Sequence, residues 1–362
     1  MNDIDYMNLA YRLALKARGR TSPNPLVGCV IVRGKTIIAE GWHRRCGADH
    51  AEVVALKKAG RRSRGARMYV TLEPCYHYGR TPPCVDAVIE SGIKEVMIGM
   101  KDPNPFTNGK SIAKLRRAGI KTRVGILQKE LRAMNEAFIK YATKKMPFVA
   151  VKSAQSLDGK IATAKGDSQW ITSLAARKYA RRLRDDFDAI MVGINTVLKD
   201  NPRLNGAKKT KGLKKIVIDS LLKIPTKSLL FSGTNPSDII LATTAKASLK
   251  KRLAFQKRGV RVMVAPQSEG KVDLKWLFKQ LAKNEVTSIL AEGGAQTIGS
   301  VLKEKLADKI FCYVAPVILG DDKALASVVG FNIEKISQAV PLKNIVSEKI
   351  GHDILIQGYF DC

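Results

Sequence analysis

Short apolar runs alternate with amphipathic stretches along the first 145 residues. The apolar runs have the length of strands and are bounded by turn-forming or charged residues, whereas the stretches between them repeat apolar residues at helical spacing. The predicted strands are VGCVIV (27–32), KTIIAEG (35–41), RMYVTL (67–72) and KEVMIGM (94–100). The predicted helices cover about 3–18, 50–60, 83–91, 110–118 and 128–143. Strands that alternate with helices favour an α/β sheet covered by helices on both faces.

The motif KKMP at 144–147 interrupts this pattern, because proline restricts its own backbone and that of the preceding residue. We therefore predict a domain boundary there, with one α/β domain at 1–145 and a second at 146–362. The second series of predicted strands is PFVAVKSA, DAIMVGI, KKIVIDS, DIILATT, RVMVA and TSILAEGG, with helices between them. Two last runs, DKIFCYVAPVILG and DILIQGYF, predict closing antiparallel strands.

The composition is that of a globular protein from a reducing compartment. Apolar residues make up 45% of the 362 residues, too high a share for a disordered chain. No apolar run approaches the roughly 18 residues of a membrane span, and the opening segment, acidic and then mixed, does not resemble a secretory signal. Six cysteines in a chain of this length suggest free thiols or metal ligands and not a disulfide scaffold. We therefore expect a cytoplasmic protein without a membrane partner.

The net charge of +31 raises the question of a nucleic-acid partner, since clustered lysines and arginines neutralise phosphates. The basic residues are instead spread along the chain, with short clusters at 61–67 and 208–215. Aromatic residues that could stack on bases are sparse around those clusters. The favoured interpretation is therefore a solvated basic surface, not a nucleic-acid site.

His50, Cys75 and Cys84 have the residue types of a zinc site. Zinc takes thiolate and imidazole ligands, and a catalytic zinc has three protein ligands and an open position for water. The run RMYVTL brings Cys75 to the end of a strand, and the prolines at 82–83 favour a helix start at Cys84, where the helix dipole favours a thiolate. Two alternatives remain: a structural zinc with His77 as the fourth ligand, or a buried histidine beside two inert cysteines.

Glu52 follows His50 by two residues in the motif DHAEVVAL. Residues two apart on a regular helix do not share a face, so these two can converge only if His50 lies at or just before the first turn. Asp49, a residue type found at helix N-caps, favours that arrangement. A carboxylate beside a metal-activated water can take its proton and pass it to a substrate. We predict this general acid/base role for Glu52.

His-x-Glu followed by Pro-Cys and a second cysteine resembles the zinc nucleobase deaminases, in which zinc activates water for attack on an amino-bearing ring carbon. Most of that superfamily closes the motif with Cys-x-x-Cys, whereas here the eight residues YHYGRTPP separate the cysteines. That insert, together with TSPNPLVGCVIV at 21–32 and KDPNP at 101–105, resembles the riboflavin-biosynthesis deaminases. The resemblance implies a cytidine-deaminase-like three-layer α/β fold for 1–145, with Asn24 facing the substrate sugar.

The second domain is distinguished by the stretches VKSAQSLDGKIA (151–162), GDSQWIT (166–172), VGINTVLKDNPRL (192–204) and ILAEGGAQTIGS (289–300). The last places Glu-Gly-Gly between a strand and a helix, where backbone N–H groups can approach a phosphate. It lacks the G-x-G-x-x-G pattern of a Rossmann dinucleotide site. Together the four stretches resemble the reductase domain of riboflavin biosynthesis, which has a dihydrofolate-reductase-like α/β fold and uses NADPH. The chain from about Tyr6 to Phe360 thus resembles the bifunctional deaminase/reductase family.

This resemblance implies binding roles at matching positions. The residues implied to contact NADPH are Ala154, Trp170, Thr196, Asp200, Ser220, Gly294, Ala295, Gln296, Thr297, Ile298, Gly299 and Ser300. The residues implied to contact the sugar-phosphate substrate are Ser168, Arg184, Leu204 and Glu292. We expect Arg184 to anchor the phosphate, since a guanidinium can bind phosphate through two parallel hydrogen bonds.

The chain departs from this family just after the DNPRL stretch. Asn205 and Ala207 stand where the family usually has a threonine and a substrate-binding arginine. Arg203, Lys208 and Lys209 are candidate substitutes, although a lysine offers a point charge and not a planar fork. The alternative is a chain with an active deaminase and an impaired reductase.

The resemblance implies a two-step enzyme of riboflavin biosynthesis that uses one zinc ion per chain and NADPH. The first domain would hydrolyse the 2-amino group of 2,5-diamino-6-(5-phosphoribosylamino)pyrimidin-4-one, and the second would reduce the ribosyl group of the product to ribityl. The expected partners are this small phosphorylated pyrimidine and a second chain, paired through the reductase domain. The rivals are a zinc deaminase acting on RNA, which the charge of +31 favours, and a non-catalytic nucleic-acid-binding protein.

Overall fold

A computed structural model describes residues 1–76, 78, 82–208 and 212–361. The chain divides into two compact units, Met1–Met146 and Pro147–Cys362. His77, considered above as a fourth zinc ligand, and Lys209, considered as a substitute phosphate ligand, lie outside the described residues. Within those residues, no helix has both the length and the hydropathy needed to cross a membrane.

In the residues that the structure describes, the first unit has five strands and six α-helices. The strands are β1 (Gly28–Arg33), β2 (Thr36–Trp42), β3 (Arg67–Leu72), β4 (Glu95–Met100) and β5 (Lys121–Val124). The helices are α1 (Asp3–Leu15), α2 (Ala51–Ala59), α3 (Cys84–Glu90), α4 (Lys110–Arg117), α5 (Gln128–Met134) and α6 (Glu136–Lys144). The strands form one sheet in the order β2-β1-β3-β4-β5. β1 is antiparallel to β2 and β3, whereas β3, β4 and β5 run parallel.

Two glycines allow helices to pack closely on opposite faces of this sheet. Gly28 in β1 lies against α1, where a β-carbon would come 2.0 Å from the Ala10 carbonyl oxygen. Gly41 in β2 lies against α2, where a β-carbon would come 2.3 Å from the Ala51 carbonyl oxygen. Gly41 pairs with Cys29, the neighbour of Gly28, and successive residues of a strand face opposite sides of a sheet. The two helices therefore cover opposite faces, which confirms the predicted three-layer fold.

Two features of this unit differ from the sequence prediction. The stretch 128–143, predicted as one helix, is divided at Asn135 into α5 and α6. The buried Asn135 side chain accepts a hydrogen bond from the Leu26 amide at 2.8 Å and donates one to the Leu26 carbonyl at 3.1 Å, and its backbone leaves the helical region with φ −112°. The sequence does not predict β5, because KTRV is largely basic and lies at the sheet edge with two exposed positions.

The second unit is built on a long sheet flanked by helices. The strands are β6 (Phe148–Gln155), β7 (Lys160–Ala162), β8 (Ala189–Gly193), β9 (Lys214–Ile218), β10 (Ile239–Thr244), β11 (Arg261–Ala265), β12 (Gln267–Ser268), β13 (Lys271–Val272), β14 (Ser288–Glu292), β15 (Lys309–Val314), β16 (Leu325–Ala326), β17 (Leu342–Ile350) and β18 (Asp353–Phe360). The helices are α7 (Leu174–Leu183), α8 (Ile194–Asp200), α9 (Leu249–Lys257), α10 (Leu274–Lys283) and α11 (Ala295–Lys303).

Nine of these strands form one sheet in the order β11-β10-β9-β8-β14-β6-β15-β18-β17. The strands from β11 to β15 run parallel, and the predicted antiparallel closure is present because β18 pairs antiparallel with β15. The central strands β8 and β14 are buried almost throughout, as expected of parallel strands covered on both faces. Their carboxyl ends meet at one edge of the sheet, where ligands of open α/β sheets bind.

The sequence does not predict β17, which pairs antiparallel with β18 and forms the last strand of the sheet. Its nine residues are exposed except at the two ends, so no alternation of buried and exposed positions marks it. The two-stranded pairs β12–β13 and β16–β7 are also absent from the prediction, since their two or three residues are too few to form a pattern.

Candidate active sites

His50, Cys75 and Cys84 converge in the first unit, as the sequence predicts. The His50 Nδ1 atom lies 2.7 Å from the Cys84 Sγ atom and 3.5 Å from the Cys75 Sγ atom, and the two sulfurs lie 3.1 Å apart. Two thiols and one imidazole nitrogen within ligand distance of one another are a donor set that fits tetrahedral zinc. Hydrogen bonds from Cys84 and His50 hold the pKa of the Cys75 thiol well below its ordinary value, which favours the thiolate that zinc takes.

The local structure of each ligand follows from its position at an element end. His50 is the N-cap residue of α2, with extended backbone at φ −70° and ψ 160°. Cys84 is the first residue of α3, after Pro83 at the N-cap. The Cys84 amide donates to the Cys75 sulfur at 3.1 Å, so a helix N-terminus faces the thiolate. The two cysteines and the histidine are thus held by backbone geometry and not by flexible side chains alone.

Glu52 lies beside this cluster, in the first turn of α2, with 3% of its surface exposed. Burial raises the pKa of its carboxyl to about 7, and the nearby His50 opposes that shift. A carboxyl with a pKa near neutrality can accept a proton and release it again within one reaction cycle. As predicted, His50 lies just before the first turn of α2, but the N-cap residue is His50 itself and not Asp49, whose carboxylate accepts from Lys57.

Asn24, which the resemblance assigns to the substrate sugar, is bound to a residue that the sequence reasoning missed. Its Nδ2 atom lies 3.1 Å from Nε2 of His43, and the other ring nitrogen of His43 lies 3.1 Å from the Asp49 carbonyl. A carbonyl can only accept, so His43 Nδ1 carries the proton and Nε2 accepts from Asn24. His43 is 2% exposed, and burial lowers its pKa, which keeps it in the neutral form that this bond requires.

Glu73 was also missed, although it precedes the Pro-Cys of the zinc motif. Its buried carboxylate accepts hydrogen bonds from the amides of Asp102 (3.2 Å), Gly109 (2.9 Å) and Ile112 (3.3 Å). These three amides bracket the KDPNPFTNG loop and the start of α4. Glu73 therefore ties that loop to the strand end that carries Cys75.

The second unit encloses a cavity of about 1270 Å³ at the carboxyl ends of its parallel strands. All the residues assigned above to NADPH and to the sugar-phosphate substrate line this cavity, with the exception of Gly299. Gly299 instead packs against residues 327–330, a strap that follows β16, where a β-carbon would come 1.7 Å from the Val329 carbonyl oxygen. For this glycine the structure therefore gives a packing role and not a place in the cavity wall.

Arg184 and Glu292 form an ion pair in the cavity wall. Arg184 donates from Nε to Oε1 of Glu292 at 2.7 Å and from Nη2 to Oε2 at 2.8 Å, and its Nη1 donates to the Asn205 carbonyl at 2.9 Å. Sequence reasoning assigned this guanidinium fork to a phosphate, but in the structure a carboxylate occupies it. Burial alone would raise the pKa of Glu292, yet the charges of Arg184 and Lys152 outweigh it and lower that pKa.

Lys152 is a further cavity residue that the sequence reasoning missed. It pairs with Glu292 across β6 and β14, and burial lowers the pKa of its amine while Glu292 opposes that shift. The available signal was a lysine inside the otherwise apolar run PFVAVKSA, since a charge in a buried parallel strand costs free energy unless it is paired.

Gly293 and Gly294 lie between the end of β14 and the start of α11, as predicted. Gly294 is the N-cap residue of α11, and its amide donates to the Thr196 hydroxyl at 3.2 Å, which joins this turn to α8. Trp170, with 66% of its surface exposed, stands elsewhere on the cavity wall with the Arg177 guanidinium 4.0 Å over its ring. The cavity thus combines a helix N-terminus that can hold phosphate with an aromatic face.

Two families match this chain. The family described as cytidine and deoxycytidylate deaminase zinc-binding region matches residues 1–100, and the RibD C-terminal domain family matches residues 147–356. Curated relatives named riboflavin biosynthesis protein RibD include that of Actinobacillus pleuropneumoniae, 43% identical over 98% of this chain and 95% of the relative. The Escherichia coli K12 relative of the same name is 37% identical over 98% and 99%. The chain belongs to the RibD family.

Solved RibD structures agree along the whole chain. Acinetobacter baumannii RibD is 34% identical with a TM-score of 0.89, and the Thermotoga maritima diaminohydroxyphosphoribosylaminopyrimidine deaminase/5-amino-6-(5-phosphoribosylamino)uracil reductase is 35% identical with a TM-score of 0.87. Each comparison covers 99% of both chains. As a RibD, the chain is a bifunctional deaminase and reductase of riboflavin biosynthesis, and its fold class is the predicted one: a cytidine-deaminase-like domain followed by a reductase domain.

Proposed function

We propose that the first unit deaminates 2,5-diamino-6-(5-phosphoribosylamino)pyrimidin-4-one and that the second unit reduces the ribosyl group of the product with NADPH. The Thermotoga maritima relative is described as a deaminase and a reductase for compounds of these two kinds. The observation that carries the proposal is the buried Glu52 beside the His50, Cys75 and Cys84 cluster, in one chain with a reductase cavity.

His50, Cys75 and Cys84 would hold one zinc ion, since their ligand atoms lie within 4.8 Å of one another. Bound there, zinc supplies Lewis-acid activation of the water that serves as nucleophile. Glu52 takes a proton from this water as its oxygen joins the amino-bearing carbon, and passes it to the ring nitrogen. It then takes the remaining proton of the added water and gives it to the amino group. The carbon–nitrogen bond breaks, ammonia departs and the carbon becomes a carbonyl. A carboxyl with a pKa of about 7 suits both transfers.

Asn24 would orient the substrate in this site. Its Nδ2 donates to His43, which fixes the amide so that its oxygen is left to accept hydrogen bonds from hydroxyl groups of the sugar. Neither side chain needs to move a proton. They lower the cost of ordering the substrate, because the amide is already held before the substrate binds.

In the reductase cavity, NADPH when bound supplies the hydride that the ribose C1 carbon accepts. The α11 N-terminus at Gly294 would hold a phosphate of the dinucleotide, and Trp170 would cover part of it with its ring. Ala154, Thr196, Asp200 and Ser220 line the remainder of this proposed cofactor site.

Glu292 would accept hydrogen bonds from the substrate sugar, since Arg184 and Lys152 keep its carboxylate ionised. Ser168 and Leu204 line the same cavity and would complete the substrate site. Arg184 would then act on the substrate mainly by fixing the Glu292 carboxylate. Guanidinium N–H groups that do not bind Glu292 would be left for the phosphate. Ala207 favours a second candidate, an active deaminase joined to a weak reductase, since the methyl group offers the phosphate no charge.

A second copy of the chain would pair along β17. Among the described residues, this strand pairs with β18 alone, and its exposed side chains include Ile345 and Val346, each 60% exposed. An open strand edge with apolar side chains is a template for pairing with another strand. Sedimentation of the wild-type protein beside the Ile345→Lys variant tests this: a dimer that the lysine converts to a monomer supports pairing here.

Mass spectrometry of the reaction tests both proposed activities. Zinc-loaded protein is incubated with the diaminopyrimidine ribose phosphate, with and without NADPH. We expect replacement of an amino group by oxygen in both samples and a gain of two hydrogens only with NADPH. Deamination without any reduction would support the impaired reductase instead, and an unchanged substrate would contradict the proposed function of the first unit.

A further inference from the structure

Lys215 donates three hydrogen bonds beside the reductase cavity although it lies within strand β9. Its Nζ atom donates to the Arg203 carbonyl at 2.6 Å, to Asn205 Oδ1 at 2.9 Å and to the Thr234 hydroxyl at 2.6 Å. A lysine ammonium has three protons, so these bonds use all of its donors. The residue is 3% exposed. Such a buried ammonium is in place for its hydrogen bonds and not for contact with solvent.

Two of the three acceptors flank Leu204, a cavity residue with an unusual backbone. Leu204 has a φ of +51°, in the left-handed region that is disfavoured for residues with a β-carbon, and it is 4% exposed. The Arg203 carbonyl precedes it and the Asn205 side chain follows it. Lys215 therefore holds both sides of a turn that the chain would not favour by itself.

The same turn supports the ion pair in the cavity wall. The Asn205 carbonyl accepts from Arg184, which in turn binds Glu292. Lys215 does not line the cavity. Any effect that it has on a ligand there is transmitted through Leu204 or through the chain of contacts from Asn205 to Glu292.

All three acceptors of Lys215 are uncharged, so the lysine gains no full salt bridge from this position. Burial and, to a smaller extent, the Arg184 charge lower the pKa of its amine to about 8, and Asp238 opposes both. An apolar side chain would fill the same space without this electrostatic cost. Lys215 differs from such an apolar side chain in its N–H donors, which reach the 203–205 turn.

We propose that Lys215 is a positioning residue of the reductase: it fixes the 203–205 turn so that Leu204 and the Arg184–Glu292 pair are ordered for the sugar-phosphate substrate. This role rests on the proposed reductase function. In this role Lys215, a residue outside the cavity, contributes to substrate binding and not only to the stability of the fold.

The experiment compares wild-type protein with Lys215→Met, which keeps the chain length and removes the donors. We expect KM for 5-amino-6-(5-phosphoribosylamino)uracil to rise about tenfold while kcat changes less than about threefold, because a misplaced contact weakens binding. The Kd for NADPH and the deamination rate of the same protein should stay as in wild type. Amide hydrogen exchange at 203–206 should become faster.

Lys214→Met is the matched control. Lys214 is the neighbouring residue on β9, and its Nζ lies 3.9 Å from Oδ1 of Asp238, a residue outside the turn. Asn205→Ala is a second variant, which removes one acceptor at an exposed position and should raise KM by about threefold. Together the two variants distinguish the effect of a disordered 203–205 turn from the effect of removing a lysine from β9.

An equal KM in Lys215→Met and Lys214→Met, with slow exchange at 203–206 in both, would overturn the positioning role while leaving the proposed function intact. Should Lys215→Met lose NADPH binding as well, its second unit has lost its fold and Asn205→Ala decides, an unchanged KM there counting against the role. A wild-type protein that binds NADPH but leaves the substrate unreduced would refute the proposed function, and the positioning role with it.

Discussion

Arg184 and Glu292 share two parallel hydrogen bonds, Nε to Oε1 at 2.7 Å and Nη2 to Oε2 at 2.8 Å, in the wall of the reductase cavity. Glu292 ends β14 and is 8% exposed, whereas Arg184 follows α7 directly. The pair therefore joins a strand end to a helix end and fixes the direction of the carboxylate. A bidentate contact specifies orientation as well as charge, which a single hydrogen bond does not.

Replacement of Arg184 by lysine keeps the charge and removes the fork. We expect the reductase kcat/KM of Arg184→Lys to fall about 100-fold, since a point charge leaves the Glu292 carboxylate free to rotate. Steady-state kinetics of the reduction measure this, with the deamination rate as an internal standard. Arg182→Lys, at an exposed position of α7, serves as control. A loss below about threefold in Arg184→Lys would show that charge alone is sufficient.

We expect the deaminase to depend on the Glu52 carboxylate. Glu52→Gln has nearly the same shape but cannot carry a proton, so we expect the deamination rate to fall about 10³-fold with the reductase unaffected. Zinc content, measured by plasma mass spectrometry, should match wild type, because Glu52 is not among the ligand atoms. Glu90→Gln, an exposed change at the end of α3, is the control. Retention of most of the activity in Glu52→Gln would remove Glu52 from the proton path.

We expect His43 to affect the deaminase through Asn24, to which it is hydrogen-bonded. Phenylalanine at position 43 fills a similar volume but cannot accept from Asn24 Nδ2, so the amide loses its fixed orientation. We expect KM for the diaminopyrimidine to rise about tenfold in His43→Phe, which is the free energy of about one hydrogen bond. His352→Phe, at an exposed position, is the control. An unchanged KM, with zinc still bound, would mean that Asn24 needs no support from His43.

The parts of the fold that the sequence predicts are those in which local pattern and burial agree. The runs RMYVTL and KEVMIGM become β3 and β4, because strands buried on both faces require continuous apolar residues. Cys84 lies at the predicted helix start after Pro83, and Cys75 follows the end of β3 by three residues, close to its predicted place at the strand end.

The remainder depends on contacts between distant parts of the chain. Asn135 divides a helix because its side chain binds Leu26, 109 residues away. His43 and Lys215 have no motif of their own, and their partners come together only in the folded unit. β17 lacks a buried face, so only its pairing with β18 identifies it as a strand. Side chains whose role is to hold other side chains in place are therefore the hardest to predict from the sequence.

Asp158 should give the second unit an acid-sensitive contact. A hydrogen bond from Ser156 and bonds from the Gly320 and Leu319 amides hold the pKa of this carboxyl at about 2. Because the folded pKa lies below the unfolded value of about 3.9, the unfolded chain binds more protons between them. The contribution of Asp158 to stability is therefore complete above about pH 5 and is lost as the pH falls toward 2.

Urea denaturation of wild type and Asp158→Asn at several pH values measures that contribution. The variant should be less stable than wild type at pH 7, and the difference should shrink steadily below about pH 4. Asp322→Asn, at an exposed position on the loop of Leu319 and Gly320, should match wild type in stability at every pH. A difference that stays constant down to pH 2.5 would mean that the ionised form of Asp158 carries no special contact.

In Gly299→Ala, helix propensity and a steric clash change the stability of the second unit in opposite directions. Alanine in a helix interior is favoured over glycine by about 1 kcal/mol, so propensity alone would make this variant more stable. The new β-carbon would, however, come 1.7 Å from the Val329 carbonyl oxygen and 2.9 Å from its carbon, both backbone atoms that cannot rotate away. We expect the clash to outweigh the propensity, so that the free energy of unfolding of the second unit falls by about 1–3 kcal/mol.

Urea unfolding together with hydrogen exchange at 327–330 separates the two effects in Gly299→Ala. Faster exchange there would accompany the loss of stability, because the strap must move away from α11 to admit the methyl group. Lys279→Ala, at an exposed position of α10, should change stability by less than about 0.5 kcal/mol. A Gly299→Ala protein more stable than wild type would mean that the strap yields without cost, and that close packing is not what excludes a side chain at this position.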